Sequence, residues 1–161
     1  MMEPSFEKLL VLLADARVAF VLVGGVAVTL HGYTRLTEDV AILIARNPEN
    51  IARLLDCLAG YGEGFARELS PADFSDEEGA IRIVEESELL HLDVFTRMSG
   101  LTFDDLAADA AIFALNGRDI PYASKAALLR LKETSPREKD KLDAIALRRL
   151  ASGAQFGNPS P

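Results

Sequence analysis

VLVGGVAVTLHGYTRLTEDVAILI, residues 21–44, decides the fold. An apolar run stops on Gly24-Gly25, a short apolar stretch from Val26 to Leu30 stops near Gly32, and a second apolar run extends from Asp39 to Ile44. Short apolar runs bounded by glycine or polar turns read as buried strands. Val18–Val23 and Asp39–Ile44 are therefore predicted strands, with Val26–Leu30 a helix packed on the first. Two glycines at a strand-to-helix corner allow close approach to the backbone and leave amides facing outward. Side chains alternate along a strand, so positions 39, 41 and 43 share one face and 40, 42 and 44 the other. The first face opens with a carboxylate, Asp39, and continues with Ala41.

On the N-terminal side, Phe6, Leu9, Leu10 and Leu13 recur at helical spacing, which predicts a helix over residues 5–15. On the C-terminal side, Arg46-Asn47-Pro48-Glu49 reads as a turn, and Ile51, Leu54, Leu55 and Leu58 predict a helix that stops at Gly60. Residues 62–79 are polar and acidic and read as a long loop with one weak strand. Ile81–Val84 and Leu89–Phe95 predict a hairpin turning through Glu85–Glu88. Leu101–Ala108 carries no decisive pattern. Ile120-Pro121-Tyr122 is predicted as an edge strand, because proline removes a ladder donor. Ser124 is placed to cap a helix running to about Glu133, and a last helix is expected from Pro136 to Leu150.

A chain of 161 residues with 49% hydrophobic composition supports one domain with a buried core. The expected architecture is α/β (α+β), a mixed sheet flanked by helices over residues 1–150, with residues 151–161 a disordered tail. The longest apolar region, Leu9 to Leu30, is broken by Asp15, Arg17 and the two glycines, so it falls short of the roughly 20 uninterrupted apolar residues of a membrane span. MMEPSFEK lacks the basic start of a secretory signal, and the lone Cys57 excludes an internal disulfide framework. A soluble, cytoplasmic protein is expected, with Cys57 a buried, inert thiol.

The net charge of −8 argues against indiscriminate binding to nucleic acid. It conceals an asymmetry: Lys125 to Arg149 holds eight basic and four acidic residues, a local +4 that leaves −12 elsewhere. Two readings stand for that region. Folded over the glycine corner it would meet an anionic substrate with positive charge; otherwise it is a solvated helix face with ordinary charge pairs.

Within Leu89–Phe95, His91, Asp93 and Phe95 share a face, so Asp93 approaches Asp39 if the two strands are neighbours. Carboxylates at 39, 41 and 93 beside a Gly-Gly corner would be a plan for metal-assisted nucleotide transfer, and this chain supplies two of the three.

Gly24-Gly25, followed by His31-Gly32, Arg35, Thr37 and Asp39-Val40, resembles the signature of small nucleotidyltransferases of the polymerase-beta superfamily, and is similar to those of abortive-infection and toxin-antitoxin systems. Downstream, Asp93 in LHLDVF matches the third carboxylate, and Leu131-Lys132 with Arg137, Lys139-Asp140 and Asp143 resembles the closing helices of that group. The resemblance spans roughly residues 18–150. It implies a nucleotidyltransferase fold and transfer of a nucleoside monophosphate from a nucleoside triphosphate to an acceptor hydroxyl, with tRNA as one acceptor and a cognate antitoxin as a partner. It further implies that Gly24, Gly25, Arg35, Thr37, Lys132 and Asp140 bind the nucleotide, that Asp39, Asp93 and Lys132 are catalytic, and that Asp39 and Asp93 hold Mg2+.

The departure lies at position 41, where the family pattern has an acidic residue and this chain has alanine. Loss of that carboxylate should weaken the Mg2+ site and remove several kcal/mol of transition-state stabilisation, roughly three decades of rate. Glu38 has the wrong strand parity to replace it unless a bulge shifts the register. The implied activity is therefore weak or absent, and a catalytically inactive nucleotide- or protein-binding member of the fold is the alternative. His31 reads as a structural residue at a helix end and His91 as a packing or positioning residue. Arg35 either orients the loop or contacts phosphate. Tyr33 and Tyr122 read as packing residues.

Overall fold

The computed structural model describes residues 4–32, 39–62, 64–85, 90–133 and 148. Helix α1 (Pro4–Asp15) precedes strand β1 (Phe20–Val23), helix α2 (Gly24–Leu30), strand β2 (Asp39–Ile44) and helix α3 (Pro48–Ala59). Strands β3 (Ile81–Glu85) and β4 (Leu90–Phe95) follow, then helix α4 (Phe103–Ala107), strands β5 (Ala111–Leu115) and β6 (Arg118–Tyr122), and helix α5 (Lys125–Glu133). The last predicted helix, apart from Arg148, and the C-terminal tail lie outside the described residues.

The six strands form one mixed sheet in the order β3-β4-β2-β1-β6-β5. β2 lies antiparallel to β1 and parallel to β4, and β3 and β4 form the expected antiparallel hairpin. Strand alternation divides the sheet into two apolar layers. Val40, Ile42 and Ile44 enter one layer with Leu9, Leu10 and Leu13 of α1 and Ile51, Leu54 and Leu58 of α3. Leu43, on the other face, joins Ala27 and Val28 of α2, Leu106 of α4, and Ala127, Leu128 and Leu131 of α5. At roughly 25 cal/mol per Å² of apolar surface, such two-sided burial is the main force holding the central strands.

Local chemistry fixes the element ends. Asn47 caps α3 by accepting from the Asn50 amide at 2.9 Å, with Pro48 in the first turn, where its missing N–H costs nothing. Asn50 itself is buried: its Oδ1 accepts from the Ala19 amide at 2.6 Å, and its Nδ2 donates to the carbonyls of Ala19 at 3.0 Å and Ala45 at 2.9 Å. It thereby ties the start of β1 to the end of β2. Ser124 caps α5 as predicted, accepting from the Ala127 amide at 3.1 Å.

Three expectations change. The loop over residues 62–79 contains two 3-10 turns, Phe65–Glu68 and Pro71–Asp73, and no strand among its described residues. β5, whose residues carry no strong alternation of apolar and polar side chains, is an additional strand that pairs with β6 and forms one edge of the sheet. β6 is consequently not an edge strand, although it contains Pro121. Ala123 donates its amide to Leu22 of β1 at 2.9 Å. By alternation, position 121 also faces β1, where the ladder has only the Leu22–Tyr122 register pair, so the missing donor costs no rung.

Candidate functional site

The corner between β1 and α2 follows directly from its two glycines. Gly24 has φ of 72°, in the region open to glycine, and α2 begins there with no side-chain cap from Val23. Position 41 is pressed against this corner. Val23 pairs with Ala41 across β1 and β2, and Ala41 pairs with Asp93 across β2 and β4. Ala41 therefore stands between the glycine corner and a carboxylate.

The parallel register brings the two predicted acids to one face, with Asp39 opposite His91 and Ala41 opposite Asp93. This is the same face on which Leu43 packs, so the acids sit where the apolar layer gives way to solvent. Asp39, at the start of β2, is partly exposed, and Asp93 is more enclosed.

A basic side chain joins the two acids. Arg82, on β3, pairs directly with Asp93 across the hairpin. Its Nε donates to Asp93 Oδ1 at 2.8 Å and its Nη2 to Asp93 Oδ2 at 3.0 Å, the two-pronged geometry that suits guanidinium and carboxylate. Nη2 also donates to Asp39 Oδ2 at 3.2 Å, and His91 Nδ1 lies 3.2 Å from Asp39 Oδ1. The hydrogen bonds and charge of Asp93, followed by the charge of Asp39, raise the Arg82 pKa further above its ordinary value, so the guanidinium stays protonated.

This arrangement decides whether a pair of divalent ions fits. Such a centre needs bridging carboxylate oxygens with lone pairs to spare. Ala41 has none, and the four oxygens of Asp39 and Asp93 each face a nitrogen of Arg82 or His91. Among the described residues, no group of three or more His, Cys, Asp or Glu side chains is disposed to hold a metal ion. The described side chains, as placed, do not fit a two-metal centre.

His31 lies at the end of α2, and its Nε2 donates to the Ala123 carbonyl at 2.8 Å. Its ring meets Tyr122 at a centroid distance of 4.9 Å. These contacts join α2 to the β6–α5 junction and account for both residues as packing elements. Burial pushes the His31 pKa down, opposed by the hydrogen bond to Ala123 and aided by the charge of Lys125. Lys132 belongs to α5, but its side chain lies outside those described. Tyr33, Arg35, Thr37, Glu38 and Asp140 also lie outside the described residues.

No family model matches this chain, and no curated protein matches it. Among solved structures it is similar to the lincosamide antibiotic adenylyltransferase LnuA bound to lincomycin, with a TM-score of 0.61 and 20% identity over 93% of this chain and 98% of that one. It is also similar to an antigenic nucleotidyltransferase-like protein from Paracoccidioides brasiliensis, with a TM-score of 0.53 and 19% identity over 95% of this chain and 76% of that one. The fold is that of the nucleotidyltransferases. At this level of identity the likeness concerns the mixed sheet and its flanking helices, not the chemistry. No helix among the described residues is long and apolar enough to cross a membrane.

Proposed function

We propose that this chain is a nucleotidyltransferase-fold protein that takes a nucleoside triphosphate at the Gly24-Gly25 corner and transfers its nucleoside monophosphate slowly or not at all. The observation that carries this reading is the placement of Asp39 and Asp93 on one face of adjacent parallel strands, with Ala41 between Asp93 and the glycine corner. In the proposed reaction the acceptor hydroxyl oxygen bonds to the α-phosphorus, the α–β phosphoanhydride bond breaks, and pyrophosphate leaves while the hydroxyl proton is lost. Gly24, Gly25, Arg35, Thr37, Lys132 and Asp140 are assigned to the nucleotide, and Asp39, Asp93 and Lys132 to the reacting groups.

Two acceptor classes follow from different sources. The sequence resemblance suggests a tRNA end, with a cognate antitoxin as partner, whereas the likeness to LnuA, a lincosamide antibiotic adenylyltransferase bound to lincomycin, suggests a lincosamide-like acceptor. A second reading, nucleotide binding without turnover, is favoured by Ala41 and by the engagement of both remaining acids with Arg82.

The test is transfer of label from each of the four nucleoside triphosphates, with magnesium, to a total tRNA pool or to lincomycin. It is run on the native chain and on Ala41→Asp. Transfer confined to the Ala41→Asp chain, or roughly three decades faster in it, supports the reading. Binding of a triphosphate with no transfer by either chain supports the non-enzymatic alternative. Folded proteins that neither bind nor transfer any nucleotide refute both.

A further inference from the structure

A two-metal centre uses positive charge to hold neighbouring carboxylates together. Here the carboxylates are held together by a side chain of the protein itself. Arg82 reaches Asp93 through two nitrogens at 2.8 and 3.0 Å and Asp39 through one of them at 3.2 Å, and His91 faces the last carboxylate oxygen at 3.2 Å. Backbone register sets Arg82 beside Asp93, because residues 82 and 93 are direct partners in the β3–β4 ladder. Ala41, pressed against the corner, supplies no oxygen donor to a metal ion.

We propose that Arg82 is the resident cation of this corner: it bridges Asp39 and Asp93 in place of a divalent ion and keeps such an ion out. The proposal rests on reading the corner as a nucleotidyltransferase site that lacks its middle carboxylate, but it does not require that a nucleotide bind. Entry of a hard cation would require the guanidinium to leave both acids, and among the described residues the cation would gain two carboxylates and an imidazole in exchange. The positive charge of Arg82, while it remains nearby, opposes that entry further. Arg82 is half exposed, at 51% of its side-chain surface, so removing it leaves the apolar layers intact.

The experiment is Mn2+ titration without nucleotide, followed by electron paramagnetic resonance at physiological ionic strength, where diffuse attraction to the acidic surface is screened. It uses the native chain, Arg82→Ala, Arg82→Gln, and each of these combined with Asp39→Asn, with circular dichroism to establish folding. The native chain is expected to show no saturable site that depends on Asp39. Arg82→Gln and Arg82→Ala are expected to gain one, at least tenfold tighter than any binding by the native chain and lost with Asp39→Asn. The proposal is overturned if the native chain binds one Mn2+ in a manner that Asp39→Asn abolishes. It is equally overturned if either Arg82 variant folds and gains no such site. Because no nucleotide is present, these outcomes are independent of whether the chain binds or transfers one.

Discussion

Gly24 and Ala41 face one another so closely that a β-carbon on Gly24 would lie 3.1 Å from that of Ala41. The glycine also has φ of 72°, where an L-residue pays about 1–2 kcal/mol. Gly24→Ala therefore combines backbone strain with a tight contact, and should lower stability by roughly 1–3 kcal/mol in urea denaturation. Gly60→Ala is the control, since Gly60 has φ of −97° and no atom within 4 Å of a built β-carbon. Equal stabilities for the two variants would refute the account of the corner.

Asn50 joins the ends of β1 and β2 through three hydrogen bonds, two to the backbone of Ala19 and one to Ala45. Asn50→Ala leaves those buried groups short of partners and removes the side chain that filled the space. A loss of about 2–4 kcal/mol is expected, because unpaired buried polar groups cost about 1–3 kcal/mol each and some regain partners by relaxation. Asn50→Asp tests whether donors or volume matter. It retains the size and the acceptor, loses the two donated bonds, and should also destabilise, with calorimetry measuring both variants.

How much of this was legible in the sequence depends on range. Helical spacing and strand alternation are local, and they located α1, β1, β2, α3 and β4 and the common face of Asp39, Ala41, His91 and Asp93. Their adjacency required a sheet order that no local pattern encodes, and β5 escaped because AIFAL lacks polar alternation. Arg82 is the instructive omission. A hairpin closing at Val84 and Leu89 would pair Arg82 with His91, whereas the observed closure at Glu85 and Leu90 pairs it with Asp93. The two registers differ by two residues and so keep Arg82 on the same face. A charge in the middle of an apolar strand, on the face of two acids, was the available signal. The proline in β6 misled because edge placement is one way to accommodate a missing donor, and a short neighbouring ladder is another.

Cys57 provides a test of how tightly α3 seals its layer. Burial pushes its pKa up to about 11, and its thiol donates to the Leu54 carbonyl at 3.3 Å. The reactive thiolate is therefore scarce near neutrality. The folded chain at pH 7.5 should react with a disulfide reagent at least tenfold more slowly than the urea-unfolded chain, in proportion to the lost thiolate. Reaction at the unfolded rate would mean that α3 does not shield Cys57.

The same logic, with opposite sign, applies to His31. Burial holds its pKa below the ordinary value of about 6.5, so the unfolded chain binds this proton more readily than the folded one. The stabilising contribution is fully present above pH of about 6.5 and is lost as pH falls through that value toward the lowered folded pKa. The melting temperature should accordingly fall as pH drops from about 7.5 to 5.5, before most carboxylates titrate. His31→Gln can still donate a hydrogen bond toward Ala123 but cannot be protonated, so it should flatten that part of the profile while lowering stability modestly at pH 7.5. Titration of the His31 ring by NMR in the folded chain gives the direct check, with a midpoint expected below the unfolded value. A midpoint at or above it, or an unchanged slope in His31→Gln, would remove His31 as the source of the acid sensitivity.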